Sequence, residues 1–283
     1  MGISVIIPTL NAGESLVNLL SSLMKQDLAP MQIIVIDSSS EDNTVARARS
    51  FGAETFVIPR ESFNHGATRN LAASKARGEI LVFMTQDAIP GDHSLLRVLT
   101  APLRDKGIVA TFGRHIPKEN ATPLESFSRR FNYPEQGSVK EAADIQRFGI
   151  KTFFFSNVCS AFKKRPFTAA GMFPEGIRAN EDMLITAKLI LSGHKVAYVP
   201  EAVIIHSHAY SLSGIFRRYY NIGSSLKNNN WVLRYAKPEG EGIKFMKEAF
   251  VFVMKQHQYR WIPYIFLESA TKYAGYRMGL LKG

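Results

Sequence analysis

Cysteine is almost absent from this chain, since Cys159 is the one cysteine among 283 residues. A single thiol cannot form an internal disulfide, and a zinc site built from several cysteines is excluded as well. Hydrophobic residues make up 46% and charged residues 21% of the sequence, which is the usage of an ordinary globular protein. The fold must therefore be stabilised by a hydrophobic core, which a chain of this length can bury.

Long hydrophobic runs are also missing from the sequence. No apolar stretch approaches the roughly 20 residues that a membrane-spanning helix needs. Residues 1–8 lack a basic segment followed by a long apolar core, so they predict a first β-strand and not a signal peptide. We therefore expect a cytoplasmic protein.

Acidic residues are scarce in the last quarter of the chain. Twelve basic and four acidic residues follow His208, which places eight of the eleven net positive charges there, among many aromatic side chains. A basic surface with Trp and Tyr is typical of docking on an anionic membrane. Alternatively, the aromatic side chains pack onto the protein and the lysines are simply solvated. We expect no nucleic-acid binding, because no nucleic-acid motif accompanies the charge.

Strand and helix patterns alternate through the first hundred residues. Short apolar runs predict strands, and apolar residues at helical spacing between them predict helices. Strands are predicted at 3–7, 32–36, 55–58, 79–84 and 108–112, and helices at 12–26, 41–51, 66–76 and 92–103. This alternation favours an α/β fold with a Rossmann-like, mostly parallel sheet and helices on both faces.

The later part of the chain has an irregular middle, residues 120–149, and a helical end. The elements predicted there are one or two buried strands in 153–162, a helix at 181–192, short strands at 195–199 and 203–205, and helices at 213–228, 242–256 and 262–281. Gly275 predicts an interruption of the last helix.

Polar side chains follow the predicted strands at the points where the strands end. They are Thr9, Asn11, Asp37, Ser38, Ser39, Gln86 and Asp87. In open α/β sheets, ligands bind outside the carboxyl ends of the strands. These residues are therefore the first candidates for a binding site.

Carboxylates and imidazoles with chemical potential also lie at element ends. Asp87 follows a strand, Glu181 and Asp182 begin a helix, and His206 and His208 close a later strand on one face. One Asp and one His suffice for a divalent cation that also binds a diphosphate. A carboxylate near an acceptor hydroxyl can act as a general base. The structural alternatives are partly buried imidazoles and acids that favour a helix N-terminus by about 0.3–1 kcal/mol.

Four segments carry a resemblance to a known family. They read, in order, SVIIPTLN, IVIDSSSEDNT, HGATRNLAASKARGEILVFMTQDA and NEDMLITAKLILSGHKVAYVP. Their succession over about residues 3–215 resembles family-two glycosyltransferases with the GT-A fold. Within that family, FNHGATRN, TQDAIP and IIHSHAYSLSGIFRRYYNIG are most similar to bacterial rhamnosyltransferases. The resemblance implies a GT-A domain over 1–212, with a donor half about 1–115 and an acceptor half about 116–212, and a basic, aromatic-rich helical region over 213–283.

The resemblance also implies a nucleotide site. Pro8, Thr9 and Asn11 would line its pocket, and Gln86 would belong to the same set. Asp37 would accept a hydrogen bond from the pyrimidine N–H, and Ser39 would contact the nucleoside. Arg69 would lie near the phosphates, where a fixed cationic fork suits the charge. The alternatives are a turn cap for Asp37 and an ordinary surface ion pair for Arg69.

By the same resemblance, Asp87 occupies the acidic metal motif and Asp182 the position of the catalytic base, with Glu181 supporting it or contacting the acceptor. The family's motif usually carries two carboxylates, whereas Gln86-Asp87 supplies one. We therefore expect His206 or His208 to share the ion, or the ion to arrive mostly with the donor diphosphate.

These expectations add up to an inverting, metal-dependent glycosyltransferase that uses Mg²⁺ or Mn²⁺. It would transfer L-rhamnose from dTDP-β-L-rhamnose to a hydroxyl of a bacterial cell-surface glycan or lipid-linked oligosaccharide, at the inner face of the cytoplasmic membrane. One alternative keeps this chemistry with a UDP-hexose or UDP-N-acetylhexosamine donor. The other is a non-catalytic protein that binds a nucleotide sugar or a glycan.

Overall fold

The structure is a computed structural model that describes residues 2–208, 210–236 and 240–283. Its strands are β1 (Ile3–Thr9), β2 (Gln32–Asp37), β3 (Glu54–Val57), β4 (Ile80–Met84), β5 (Ile89–Pro90), β6 (Ile108–Ile116), β7 (Ser138–Lys140), β8 (Cys159–Lys163) and β9 (Lys195–Ile205). Its α-helices are α1 (Gly13–Met24), α2 (Thr44–Ser50), α3 (His65–Lys75), α4 (Leu95–Thr100), α5 (Pro123–Asn132), α6 (Ile145–Phe148), α7 (Lys164–Ala169), α8 (Glu181–Leu191), α9 (Leu212–Asn228), α10 (Glu241–Lys255) and α11 (Ile262–Lys282). Lys237 and Glu239, which contribute to the charge of the last quarter, lie outside the described residues.

One nine-stranded sheet organises the chain, in the order β3-β2-β1-β4-β8-β6-β9-β5, with β7 paired to β9. Its central strands are buried over almost their whole length because both faces are covered. Alternate side chains of β1 enter two different cores: Val5 and Ile7 pack with α1, and Ile6 packs with α3. The predicted α/β architecture with helices on both faces is confirmed.

Strand direction changes halfway across the sheet. From β3 to β4 all neighbours are parallel, as predicted. Beyond β4 the sheet is mixed, because β8 runs antiparallel to both β4 and β6, and β9 is parallel to β6 but antiparallel to β5 and β7. The description "mostly parallel" therefore holds only for the first half. Hydrophobic patterning shows that a segment is a strand but carries no information on its direction.

The structure refines or corrects three local predictions. The apolar run 153–162 contains one buried strand, since β8 begins at Cys159, and the residues before it are the end of a 3₁₀ turn (Gly149–Phe153) and a loop. The two short strands predicted at 195–199 and 203–205 are one strand, β9, with a register shift against β6 at Gly113. A Cβ on Gly113 would overlap the Ala202 carbonyl, so the glycine permits this bulge. The irregular middle contains α5 and β7.

The C-terminal helices pack on the sheet domain and on each other. Side chains Ile222, Tyr276 and Leu280 of α9 and α11 lie against the second core, and Ala249 and Val253 of α10 form a third core with α5. The predicted interruption at Gly275 is wrong, because α11 continues through it. A membrane-crossing helix is not found in the described parts of the chain, since no helix there combines the necessary length and apolar character.

Candidate active site

The candidate residues lie at one edge of the sheet, where β1, β2, β4 and β9 end. Thr9 and Asp37 are register partners at the ends of β1 and β2. The amide of His206, just after β9, donates to the Ile116 carbonyl at the end of β6. The loop after β4 is tied to the segment before β8, because the Thr85 amide donates to the Val158 carbonyl over 3.1 Å. The topology thus brings distant parts of the sequence to one edge.

Asp37 is fully buried and is used by the protein itself. Its carboxylate accepts hydrogen bonds from the Thr9 hydroxyl at 2.8 Å, from the Ser40 amide at 2.8 Å and from the Ser40 hydroxyl at 2.6 Å. These bonds correspond to the turn-cap alternative and shape the loop after β2. They also explain why α2 begins at Thr44, because Ser40 is engaged with Asp37 and does not cap a helix. A contact from Asp37 to a pyrimidine stays a prediction.

The loops after β1 and β2 are joined by hydrogen bonds, and each contains a residue with an unusual backbone conformation. Asn11 and Ser39 both have positive φ, 46° and 56°, which is uncommon for residues other than glycine. The Asn11 amide donates to the Ser40 hydroxyl at 2.7 Å, and its side-chain oxygen accepts from the Glu41 amide at 2.9 Å. The Ser39 hydroxyl donates to the Ile58 carbonyl at 2.8 Å. Strained residues of this kind cluster at functional sites.

An open groove lies beside these loops. Ser39, Val57, Ile58 and Arg60 contribute to its walls. Pro8, which is half-buried, precedes Thr9 in the neighbouring strand. The groove lies at the carboxyl ends of β2 and β3, where a nucleoside is expected in a sheet of this type.

Gln86 connects the loop after β4 to the loop after β1. Its side-chain oxygen accepts from the Leu10 amide at 2.8 Å, and its side-chain nitrogen donates to the Leu10 carbonyl at 3.2 Å. The side-chain oxygen and nitrogen of Gln86 are therefore both engaged with Leu10. These bonds fix the position of Asp87, the predicted metal ligand, relative to the predicted nucleotide loop after β1. A direct contact of Gln86 with the nucleotide stays a prediction.

Asp87, His206 and His208 converge on one point. The Nε2 atoms of His206 and His208 lie 3.5 Å and 3.1 Å from Asp87 Oδ2, and one ligand atom from each residue lies within 4.8 Å of the others. Although burial opposes it, the hydrogen bond from His208 and the proximity of His206 lower the pKa of Asp87 to about 2. Burial lowers the pKa of His206 to about 4. At neutral pH the site thus offers an ionised carboxylate and a neutral imidazole, which are the forms that bind metal.

His115 lies behind this cluster. Its ring is fully buried, stacks on Tyr133 with centroids 3.9 Å apart, and meets His206 edge-on at 5.8 Å. Neither ring nitrogen of His115 has a hydrogen-bond partner among the described residues, and the same holds for Nδ1 of His206. Burial lowers the pKa of His115 well below its ordinary range, so the ring is neutral. It contacts the His206 ring and limits its movement by packing.

Glu181 and Asp182 form the second cluster, at the N-terminus of α8. Asp182 accepts from its neighbour's amide, Met183 N, at 2.8 Å and from the Asn157 amide at 3.3 Å. Glu181 is buried and lies 3.5 Å from both the Arg69 guanidinium and the Asn157 side-chain amide. Burial and the adjacent Glu181 charge raise the pKa of Asp182 to about 7. A general base is most effective when its pKa lies near the working pH.

Arg69 is a buried residue and not a surface ion pair, because only 4% of it is exposed. Its Nη1 donates to the His65 carbonyl at 2.9 Å and faces Glu181. Its Nε has no partner within the described residues. Arg69 therefore places a buried positive charge beside Glu181.

Two residues at the site escaped the sequence analysis. Asn157 touches both members of the acid pair and is itself held by a 3.1 Å bond from Ser160. A buried amide inside an apolar run is the one sequence signal it carries. Arg218 projects from α9, and its guanidinium lies 5.8 Å from the centroid of the Tyr210 ring. Tyr210 follows His208 by two residues. The sequence signal for Arg218 is the Arg217-Arg218 pair near a helix start.

Comparisons with known proteins find a family and near-full-length relatives for this chain. The model of Glycosyl transferase family 2 matches residues 4–170. The chain is 40% identical to the O-antigen chain rhamnosyltransferase RfbN of Salmonella typhimurium over 282 residues, which is 99% of this chain and 90% of that protein. It is 38% identical to the O-antigen chain rhamnosyltransferase WbaN of Salmonella anatum over 279 residues, which is 98% of this chain and 88% of that protein.

Solved structures show the same fold. A mannosyltransferase from Pyrobaculum calidifontis, in complex with GDP-Man and Mn²⁺, superposes with a TM-score of 0.62 at 18% identity, over 99% of this chain and 75% of that one. Residues 1–349 of TarS from Staphylococcus aureus give a TM-score of 0.60 at 17% identity, over 99% and 90%. These likenesses confirm the predicted GT-A fold. With a family model that covers more than half of its length and near-full-length relatives of the same kind, the chain belongs to glycosyl transferase family 2 and is a glycosyltransferase.

Proposed function

We propose that this enzyme is an inverting, metal-dependent rhamnosyltransferase that uses dTDP-β-L-rhamnose. The observation that carries the chemistry is the presence, at one sheet edge, of the Asp87–His206–His208 cluster and of a half-buried base, Asp182, with a pKa near neutrality. The donor sugar is supported by the two O-antigen chain rhamnosyltransferases that match nearly the whole chain.

In the proposed reaction, the acceptor hydroxyl gives its proton to the Asp182 carboxylate as its oxygen attacks the anomeric carbon. The bond from that carbon to the diphosphate oxygen breaks on the opposite face, and dTDP leaves with the electron pair. Attack from the opposite face converts the β-linked donor into an α-linked product. Asp182 then releases the proton to water, while Asn157 and Met183 keep its carboxylate oriented through their amides.

A bound Mg²⁺ or Mn²⁺ would supply charge neutralisation for the departing diphosphate. Asp87, His206 and His208 would hold it, and one carboxylate with two imidazoles is a donor set that suits Mn²⁺, a transition metal, better than Mg²⁺, which prefers oxygen ligands. Arg69 adds a fixed positive charge next to Glu181, which limits the like-charge repulsion on Asp182. The proposed nucleotide residues are Pro8, Thr9, Asn11, Asp37, Ser39, Arg69 and Gln86.

The acceptor is a hydroxyl of a bacterial cell-surface glycan or of a lipid-linked oligosaccharide. We place the enzyme in the cytoplasm, at the inner face of the cytoplasmic membrane, with residues 213–283 in contact with anionic lipid. No nucleic acid takes part.

A donor panel tests the proposal. The purified protein is incubated with Mg²⁺ or Mn²⁺ and, separately, with dTDP-rhamnose, UDP-glucose, UDP-galactose, UDP-N-acetylglucosamine and UDP-N-acetylgalactosamine. Thermal stabilisation and slow nucleotide release are followed. A metal-dependent response confined to dTDP-rhamnose is expected. A preference for a UDP-sugar would keep the mechanism and overturn the donor, and binding without any turnover would favour the non-catalytic alternative.

A further inference from the structure

Helix α10 has apolar residues on two opposite faces. The inner face carries Ala249 and Val253, which are buried in the third core. The outer face carries Ile243, Lys247, Phe250 and Met254, which follow one another at intervals of four, three and four residues and therefore form one stripe. Ile243 is 59% exposed, and Phe250 and Met254 are each 39% exposed. A helix that is apolar on both sides is normally covered on both sides.

The outer stripe continues at the corner between α10 and α11. Val251 borders it on α10 and is 50% exposed, and Tyr259, Tyr264 and Leu267 follow with about half of their surface exposed. Tyrosine is a residue that favours the boundary between water and lipid, because its ring is apolar and its hydroxyl is polar. We name the set Ile243, Lys247, Phe250, Val251 and Met254 the outer α10 face.

The charges around the outer α10 face are mostly positive. Lys244, Lys247, Lys255 and Arg260 are exposed. On α10 and α11, all of whose residues the structure describes, Glu241 pairs with Lys151 and Glu268 pairs with Lys272, both at 2.6 Å. Only Glu248 remains as an exposed acid there. The face therefore presents apolar side chains in a positive field.

The charge decides which partner fits. A second copy of this chain on a two-fold axis would bring the same lysines against one another, and like charges oppose association. An anionic lipid surface is complementary to both properties, since the headgroups attract lysine and arginine and the boundary region accepts the apolar stripe. Lysine stems can reach upward from the stripe to the headgroups.

We propose that the outer α10 face is a docking surface for an anionic phospholipid bilayer. The face lies in the plane of the interface and does not cross the membrane. The inference deepens the proposed function, because it names the surface that holds the enzyme where lipid-linked acceptors are found. The surface itself is argued without reference to the sugar chemistry.

Vesicle flotation tests the docking surface with the full chain. The vesicles consist of phosphatidylcholine alone or of phosphatidylcholine with phosphatidylglycerol. The wild type should float only with the vesicles that contain phosphatidylglycerol, and added salt should release it. The triple variant Lys244→Gln, Lys247→Gln, Lys255→Gln should bind them about 100-fold more weakly. The variant Phe250→Gln, Met254→Gln should also lose binding.

Matched controls carry the same changes elsewhere. Lys25→Gln, Lys75→Gln, Lys106→Gln removes three exposed lysines from the sheet domain, and Met24→Gln, Leu71→Gln removes two exposed apolar residues. Equal losses in controls and test variants, equal binding to both vesicle types, or a dimer that the Phe250→Gln, Met254→Gln variant converts to a monomer would overturn the inference.

Nucleotide release without vesicles separates this inference from the proposed function. The Phe250→Gln, Met254→Gln variant should release dTDP from dTDP-rhamnose in solution at the wild-type rate. If turnover is present but vesicle binding is absent in the wild type, only the docking inference fails. If vesicle binding is present but no donor is turned over, only the proposed function fails.

Discussion

Asp182 combines two properties that single side chains on a helix N-terminus rarely share. It is half-buried beside a second carboxylate, and its oxygens are oriented by the amides of Asn157 and Met183. Burial and the adjacent carboxylate raise the pKa of Asp182 to about 7. The two amides fix the direction in which its carboxylate oxygens point. A carboxylate that only favoured the helix dipole would also accept from the Met183 amide, but it would need neither the Asn157 amide nor a raised pKa.

Replacing Asp182 by Asn should lower kcat by about 10²- to 10⁴-fold, which is the usual contribution of a general base. Donor affinity, measured by calorimetry, should change by no more than a few-fold. The control is Glu14→Gln, which removes an exposed acid from the first turn of α1. If both variants keep near-normal turnover, Asp182 serves its helix and not the reaction.

The pH dependence of kcat/KM should report the same carboxylate. Because a base must be ionised, kcat/KM should fall as the pH drops below about 7. Glu181→Gln removes the adjacent like charge, so it should lower the pKa of Asp182 and shift this limb to lower pH. If the fall of kcat/KM at low pH occurs at the same pH in Glu181→Gln as in the wild type, a group other than Asp182 is responsible for it.

The same pKa shift predicts a stability effect with a definite sign. The pKa of Asp182 is higher in the folded protein than its ordinary value of about 4. Its contribution to stability is therefore complete below pH 4 and is lost as the pH rises to about 7. In Asp182→Asn this decline in the free energy of unfolding should be reduced, as urea titrations between pH 4 and pH 8 would show.

Asp87 should be required for the response to metal. Mn²⁺ should raise the melting temperature of the wild type after treatment with a chelator, and Asp87→Ala should abolish that rise, because the carboxylate lies within 3.5 Å of both histidines. Asp92→Ala removes an exposed carboxylate five residues later and is the control. A normal Mn²⁺ response in Asp87→Ala would place the ion elsewhere.

Single residues of the site were predictable where their chemistry was visible in the sequence. Asp87, His206 and His208 could be named together because strand ends meet at one sheet edge. Asn157 could not, because its role depends on a loop that packs against α8 from another part of the chain. The Gln86 side chain binds the main chain of Leu10. Such a bond does not depend on which residue type is at position 10, so the sequence cannot reveal it.

At the scale of elements, the helices and strands of the first hundred residues were predicted with small errors at their ends, except the two-residue strand β5, while α5 and β7 were not predicted. Strand direction beyond β4 and the fusion of two short strands into β9 were not predicted, since both follow from tertiary pairing. Gly275 was misjudged for a related reason. In α11 it does not break the helix but lets the backbone approach Phe216 of α9, with a Cβ there overlapping the Phe216 carbonyl.

The α9–α11 pair should be sensitive to any added side-chain atom at its contact. Gly279→Ala would place a Cβ against the Tyr220 carbonyl, so the free energy of unfolding should fall by roughly 1–3 kcal/mol. Gly242→Ala, in α10, meets nothing within 4 Å and should be neutral or stabilise by up to about 1 kcal/mol. Urea unfolding of the two variants checks this, and equal stabilities would contradict the close contact.

At the scale of the whole molecule, the sheet places the candidate nucleotide loops, the Asp87–His206–His208 cluster and the proposed base along one edge, and the C-terminal helices add a positive surface. The family and the fold were predictable because several motifs occur in order over most of the chain. The sequence predicted a basic, aromatic-rich region suited to an anionic membrane, but it did not point to the proposed docking surface, because the sequence cannot show which face of α10 the rest of the protein leaves uncovered.

The most direct test of the central claim is the anomeric configuration of the product. The enzyme is supplied with Mn²⁺, isotope-labelled dTDP-β-L-rhamnose and lipid-linked saccharides extracted from bacterial membranes, and the product is examined by NMR. We predict α-linked rhamnose, with one dTDP released per sugar transferred and with transfer reduced in Asp182→Asn. A β-linked product, or no transfer of labelled rhamnose, would contradict the account.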